Sequence, residues 1–436
     1  MPEPFELGLT FDDVLLVPRR SSVSTRRQVD TRTRLCRGID LTIPIVSASM
    51  DTVTEAEMAI AIAREGGIGI IHRFLPVEDH VAAVRRVKRA ESVVIETPYT
   101  VGPEATVRQA AAFMEEHGSA GILVIDRDRR LLGIVTARDV LFEEDLDRPV
   151  TSVMTPRDRL MTAPAGTPVE EAKEILHRHR IEKLPLVDAE GRLGGLVTSR
   201  DIRSRLRYPH ATKDQKGRLR VGAAIGVRGD YLERAEALAG TEADVLVIDV
   251  AHGHSDLVFR AVEAVRARCN DVPIIAGNVA TPEGTRDLIA CGVDGVKVGV
   301  GPGSTCTTRV VTGAGVPQLT AILACAEAAA AGRIPVIADG GIRGAGDLVK
   351  ALAAGAETVM LGNLLAGTEE SPGAFVTRNG RQYKVYRGMA SLWTSAERRD
   401  MPQDDELLAE IVPEGIEALV PYRGKVSAVL TQLLGG

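Results

Sequence analysis

The chain has 436 residues, 44% hydrophobic, 26% charged and 3% aromatic, with 43 glycines; this suits one large and one small domain and excludes disorder and collagen-like repeats. A formal net charge of −6, with no basic run interleaved with aromatics, argues against a nucleic-acid partner. No apolar stretch reaches the about 20 residues that span a bilayer, and the acids near the amino end do not suit a signal peptide, so a cytoplasmic location with no membrane partner is expected.

Taken in chain order, short apolar runs of strand length recur, each followed by a polar or glycine-bearing turn and an alanine-rich segment of helical period. They begin at Ile43, Gly67, Val221, Val245, Pro273, Gly295, Pro335 and Thr358. Near-continuous Val/Ile/Ala runs fit strands buried on both faces, and intervening helices require parallel pairing with right-handed crossovers. Eight such units predict an α/β fold, a (β/α)8 TIM barrel.

One interval breaks the rhythm. About 130 residues separate Ala90, where the helix after the second run ends, from Val221. Inside it a helix, strand, turn, strand, helix-start pattern begins at Ala105 and again at Thr167. The matched endings Thr136-Ala137-Arg138-Asp139 and Thr198-Ser199-Arg200-Asp201 lie 62 residues apart. Such a duplication reads as a small self-contained module. The expected division is therefore 1–92 for the first part of the barrel, 93–205 for the module (repeats at about 93–148 and 150–205), and 206–436 for the rest of the barrel.

Active sites of such barrels are built at the carboxyl ends of the strands. Those ends carry Met50-Asp51, His72-Arg73, Gly226, Asp249, Asn278, the loop after Val300, Asp339-Gly340-Gly341 and Gly362-Asn363. The loop from Gly299 to Arg309 holds three glycines and a proline in its first five residues, which lets backbone amides and carbonyls approach a ligand closely. Five cysteines, Cys36, Cys269, Cys291, Cys306 and Cys325, form no C-x-x-C pair, so neither a disulfide framework nor a zinc site is indicated. Cys306 lies among hydroxyls beside Arg309, a setting that favours thiolate, whereas Cys291 and Cys325 sit in alanine-rich helical runs and read as core. The His252-x-His254 pair lacks a third ligand at suitable spacing.

Two resemblances follow from these strings. The duplicated module resembles a tandem CBS (Bateman) pair, which implies that Thr136, Asp139, Thr198 and Asp201 contact a purine nucleotide, ATP or GTP; the competing reading is that they cap the following helices. The string GVGPGSTCTTRVVTGAGVPQLTAI closely resembles the cysteine loop of the IMP dehydrogenase and GMP reductase family. LTFDDVLLVP, SASMDTVTE, VIDVAHGHS, IAGNVAT, IADGGIR, MLGN, YRGMAS and VPEGIEALVPYRG extend that likeness through the barrel.

The resemblance implies that Cys306 attacks C2 of the purine to give a covalent thioimidate. It places Met50, Ser304, Asp339, Gly340, Gly341, Gly362, Asn363, Tyr386, Arg387, Gly388, Met389, Ala390 and Glu414 about the nucleotide, GMP or IMP, with Asp339 on the ribose. Asp249, His252, Gly299, Val300 and Gly301 would face a nicotinamide cofactor. The carbonyls of Gly301, Gly303 and Cys306 would hold a monovalent cation, K+, and the assembly would be a homo-oligomer, a tetramer or octamer.

Two reactions share that thioimidate. Dehydrogenases resembling this chain activate water with an Arg-Tyr pair in a flap. Here the interval from Ala390 to Ile411 has Arg398 and Arg399 followed by Asp400, and it contains no tyrosine. An arginine held cationic by Asp400 is a poor base. The resemblance implies that Thr308 and Glu414 relay protons, as in the family's reductases; dehydrogenases often share both residues, so they permit either reaction. On that missing pair the sequence favours GMP reductase, with NADPH as cofactor and IMP and ammonia as products. The motif SASMDTVTE, the CBS insertion and the His72-Arg73 pair lean instead toward IMP dehydrogenase, and a weakly active, nucleotide-sensing family member is a third reading.

Overall fold

A computed structural model describes residues 7–91, 94–389 and 414–436. The eight apolar runs form eight parallel strands that close into a barrel: Ile45–Ser47, Ile68–Ile71, Gly222–Ile225, Val245–Asp249, Ile274–Val279, Gly295–Val298, Val336–Asp339 and Thr358–Leu361. The eighth pairs with the first, Met360 opposite Val46. Helices such as Asp256–Arg268 and Gln318–Ala330 provide the crossovers.

Side chains alternate along each strand. Val46, Ile68, Ile70, Ala224, Val245, Val247, Ile275, Ile337 and Met360 fill the interior. Their neighbours, including Ile45, Leu246, Val296, Val298 and Val359, pack in the cluster shared with the surrounding helices. An antiparallel hairpin that the sequence reading did not anticipate, Thr33–Cys36 with Ile39–Leu41, adds Leu35, Cys36, Ile39 and Leu41 to the interior cluster. Arg37 N donates to Asp294 O, just before the sixth strand, at 2.8 Å, so this hairpin closes the end of the barrel opposite the expected site.

All five cysteines are free thiols. Burial pushes the Cys325 thiol up to about 11 and that of Cys36 higher still, which makes both inert.

Beyond the eighth strand, Phe375–Arg378, Arg381–Arg387 and Glu417–Pro421 form an antiparallel sheet with Arg381–Arg387 in the centre. The chain divides into two compact units, residues 1–90 with 210–436, and residues 91–209. The second contains a four-stranded sheet, with Gly121–Ile125 and Leu131–Thr136 at its centre, and a three-stranded sheet, with Lys183–Val187 in the middle. No described helix is long and apolar enough to cross a membrane.

Candidate active site

The strand alternation that fills the barrel with aliphatic side chains changes chemistry at its carboxyl end. Asp249 and Asp339 stand two residues beyond the interior residues Val247 and Ile337, and Lys297 lies between the outward Val296 and Val298. All three therefore point into the same layer. Lys297 is 2% exposed. Its Nζ donates to Asp249 Oδ1 and Asp339 Oδ2, both at 2.7 Å, and to Asn278 Oδ1. Asn278 Nδ2 returns to Asp339 Oδ2 at 3.0 Å and to Gly299 O at 2.7 Å, and Ser49 Oγ donates to Asp249 Oδ2 at 2.6 Å.

Burial alone would raise the Asp249 carboxyl, but the Lys297 ammonium and the Ser49 hydroxyl outweigh it and hold it below the usual carboxylate range. Burial would likewise lower Lys297, and the two carboxylates raise it instead. Two carboxylates and one ammonium leave this layer at a net −1. The sequence reading named Asp249, Asn278 and Asp339 and missed Lys297. The available signal was one lysine inside an otherwise apolar strand.

The cysteine loop sits above this layer. At Gly299, φ is +148° and a Cβ would fall 2.1 Å from Asp339 O; at Gly340, φ is +89° and a Cβ would meet Pro302 Cγ at 2.8 Å. Glycine is needed at both positions for the loop to lie against the seventh strand. Arg309 serves a different purpose from the one its nearness to Cys306 suggested. Its Nη2 donates to Val316 O at 2.6 Å and its Nε to Val300 O at 3.3 Å, so it braces the loop.

The thiol faces a relay instead. Cys306 Sγ donates to Thr308 Oγ1 at 3.2 Å, and Thr308 Oγ1 donates to Glu414 Oε2 at 2.6 Å. Glu414 is fixed by its backbone: its carbonyl accepts from Thr307 N at 2.9 Å, and Ile416 N donates to Thr305 O at 3.0 Å. A thiol proton therefore has a two-step path to a carboxylate.

Other expected residues gather around the same mouth. A Cβ on Gly362 would lie 2.8 Å from Tyr386 Oη and 3.2 Å from Met50 Sδ, and one on Gly341 would lie 3.5 Å from Pro302. Arg387 pairs with Asp51 at 3.1 Å, and Gly388 N donates to Ile416 O at 2.9 Å. Ser304 is exposed on the loop, Asn363 begins the helix after Gly362, and Met389 closes the described part of its segment. His252 is exposed, while His254 bonds to Asp287 at 2.8 Å. Among the described residues no cluster of three or more His, Cys, Asp or Glu side chains could hold a metal ion. Ala390 and the flap residues Arg398, Arg399 and Asp400 lie outside the described residues.

In the second unit Thr136 Oγ1 donates to Asp139 Oδ2 at 2.6 Å, as does Thr136 N at 2.7 Å. Thr198 ends its strand, and the Asp201 side chain is outside the described residues.

A (β/α)8 barrel that brings a loop-borne thiol, a hydroxyl bonded to a carboxylate and a charged floor to one mouth has the groups that nucleophilic chemistry on a polar ligand requires. The profile of the IMP dehydrogenase / GMP reductase domain matches residues 8–436, and the chain belongs to that family of nicotinamide-dependent oxidoreductases. It is 55% identical to an inosine-5'-monophosphate dehydrogenase of Aquifex aeolicus (strain VF5), over 98% of this chain and 88% of that protein. It is 52% identical to one of Nitrosopumilus maritimus (strain SCM1), over 99% of this chain and 91% of that protein. Among solved structures it resembles a GMP reductase from Trypanosoma brucei in complex with guanosine 5'-monophosphate, with a TM-score of 0.92 and 44% identity, over 99% of this chain and 90% of that one.

These relatives overturn the choice of GMP reductase made from the sequence. That choice rested on one missing Arg-Tyr pair, whereas dehydrogenases resemble the chain at 50–55% identity over nearly its full length. The physical reason lies in the relay. Thr308 Oγ1 accepts from the thiol and donates to Glu414 Oε2, so a carboxylate stands within reach of Cys306 whatever the flap carries.

Proposed function

We propose that this chain oxidises IMP to XMP with NAD as hydride acceptor. The observation that carries the reading is the near full-length identity to dehydrogenases, 55% and 52% in the two relatives described, joined to the intact thiol relay. The nucleotide would lie across the mouth with its base over Cys306. Among the described residues the bonds to the Asp339 carboxylate go to Oδ2, which leaves Oδ1 for the ribose diol. Ser304, Gly341, Gly362, Asn363 and Tyr386 would seat the phosphate.

In the first half-reaction Cys306 Sγ bonds to C2 of the purine as its proton passes through Thr308 to Glu414. Hydride then leaves C2, giving the thioimidate. The nicotinamide supplies the hydride acceptor, and the net −1 floor with Asp249 suits its cationic oxidised ring. In the second half-reaction Glu414, after losing that proton to solvent, takes one from water through Thr308. The water oxygen adds to C2; as the C2–S bond breaks its electron pair returns to Cys306 Sγ, which regains a proton from Glu414 through Thr308, and the water's other proton stays on the xanthine ring as the C2 carbonyl forms. The carbonyls of Gly301, Gly303 and Cys306 are neutral oxygens, a donor set fitting a monovalent cation better than a divalent one.

Incubating the enzyme with IMP and NAD should raise absorbance from NADH and yield XMP. Rapid consumption of NADPH with GMP, and none of NAD with IMP, would reject the proposal.

Changing Glu414 to Gln separates the halves. The free thiol can lose its proton to solvent before substrate closes the site, but water must be activated with the adduct in place. Steady-state turnover should fall about 100-fold, with a burst of NADH near one per site preceding it. Stopped-flow traces that show the burst slowed as much as turnover would place the carboxylate's role elsewhere.

A further inference from the structure

Lys384 lies in the central strand of the sheet that follows the barrel and is 2% exposed. Its ammonium makes no ion pair among the described residues. Nζ donates to Thr368 O at 2.9 Å, Glu369 O at 3.3 Å, Ser371 Oγ at 3.0 Å and Ser371 O. On its remaining side the Phe375 ring centroid lies 4.7 Å away, a favourable cation–π distance. Neutral oxygens with an aromatic cap are the kind of cage that holds a monovalent cation, and here the cation arrives on a side chain.

The cage oxygens belong to the turn after the helix Asn363–Ala366, which Gly362 opens. That turn is tied back as well: Ser371 Oγ donates to Ala366 O and Thr368 Oγ1 to Leu365 O, each at 2.7 Å. Lys384 and Tyr386 are two residues apart on one strand, so they share its inner face, and both are buried while Val385 between them is not. Tyr386 Oη reaches Met50 Sδ at 3.6 Å and stands against Gly362. The ammonium thus locks the strand carrying Tyr386 to the turn that follows Gly362 and Asn363.

We infer that Lys384 is a positioning residue: its tethered cation holds the Tyr386 strand against the Gly362 turn and so fixes the phosphate end of the nucleotide site. The inference rests on the proposed nucleotide seat but not on which reaction follows there. Burial pulls the ammonium's pKa down against the nearby Glu370 and Glu369, consistent with a cation held by neutral oxygens.

Calorimetry on the full chain with both IMP and GMP gives the test, because the phosphate is common to the two and binding is read without turnover. Lys384→Met should weaken both nucleotides by at least about 10-fold, since 1 Å of misplacement is costly, and should raise KM for IMP more than it lowers kcat. Lys384→Ala should regain part of its affinity in n-propylammonium, which can refill the cage, and none in tetramethylammonium at equal ionic strength.

Ser371→Ala removes one cage oxygen and one tie and should fold even if the lysine variants do not; a loss of about threefold in affinity is expected. Wild-type affinity for both nucleotides in a folded Lys384→Met, or in Ser371→Ala should the lysine variants not fold, would overturn the inference, as would equal recovery of Lys384→Ala in the two ammonium salts. A failed dehydrogenase assay with these affinity losses intact would instead count only against the proposed reaction.

Discussion

Changing Cys306 to alanine should lower turnover by at least about 1,000-fold, the scale expected when a nucleophile is removed from a covalent route. The same variant should bind IMP within about threefold of wild type, because the proposed phosphate and ribose contacts lie on Ser304, Asp339, Gly362 and Tyr386. Thr308 would keep its bond to Glu414, so the loop loses one sulfur contact but retains the backbone ties from Thr305 and Thr307. Changing the other four cysteines should leave turnover intact: burial raises all their thiols, and the Thr285 hydroxyl beside Cys325 donates to Thr281 O rather than to a carboxylate. Steady-state rates and calorimetry on the Cys306 and Cys325 variants check both halves. A Cys306→Ala enzyme with more than a tenth of wild-type turnover would exclude the covalent mechanism.

Lys297→Met should cost both stability and activity. Removing one partner of a buried ion pair destabilises by about 3–5 kcal/mol, and here one ammonium serves two carboxylates. The sign with pH follows from linkage. In the wild type the Asp249 carboxyl is depressed on folding, so its contribution is present above the ordinary carboxylate range and fades as pH falls through its folded value. Lys297 is raised on folding, so its contribution is intact throughout neutral pH. Without the ammonium, burial dominates at Asp249 and the variant must take up protons to fold. Its deficit should be largest at pH 7 to 8 and shrink toward pH 4 to 5, the range in which unfolded carboxyls themselves titrate. Thermal midpoints of both proteins across that range measure the gap, and a gap that widens on acidification would show that Asp249 is not the group exposed by the change.

Much of the barrel was legible because each strand is buried on both faces and therefore reads as an unbroken aliphatic run. The Pro273 and Gly295 runs became Ile274–Val279 and Gly295–Val298. The interval between Ala90 and Val221 stands out in the sequence as a break in the strand rhythm, since an insertion disturbs spacing without touching the strands on either side. The hairpin around Leu35 and Ile39 was not, because it depends on pairing and on filling the end of a barrel that exists only once the strands have closed.

The chemistry divided along similar lines. Cys306 was conspicuous from its own loop, whereas its relay joins residues more than 100 positions apart. Lys297 was passed over because a lone lysine in a strand carries no indication of the carboxylates it will meet. Arg309 was misjudged from proximity in sequence; in three dimensions its donors are taken by carbonyls. The choice of reaction was not legible from one dipeptide in the Ala390 to Ile411 interval: the chain as a whole resembles dehydrogenases at 50–55% identity.

The most direct measurement is an acid-quenched mixture of the enzyme with IMP and NAD, digested and mapped by mass spectrometry during the pre-steady state. A purine nucleotide adduct is expected on the peptide carrying Cys306, appearing with the first equivalent of NADH and decaying as XMP forms. NADH forming with no adduct on that peptide, or with an adduct on another cysteine, would contradict the covalent mechanism.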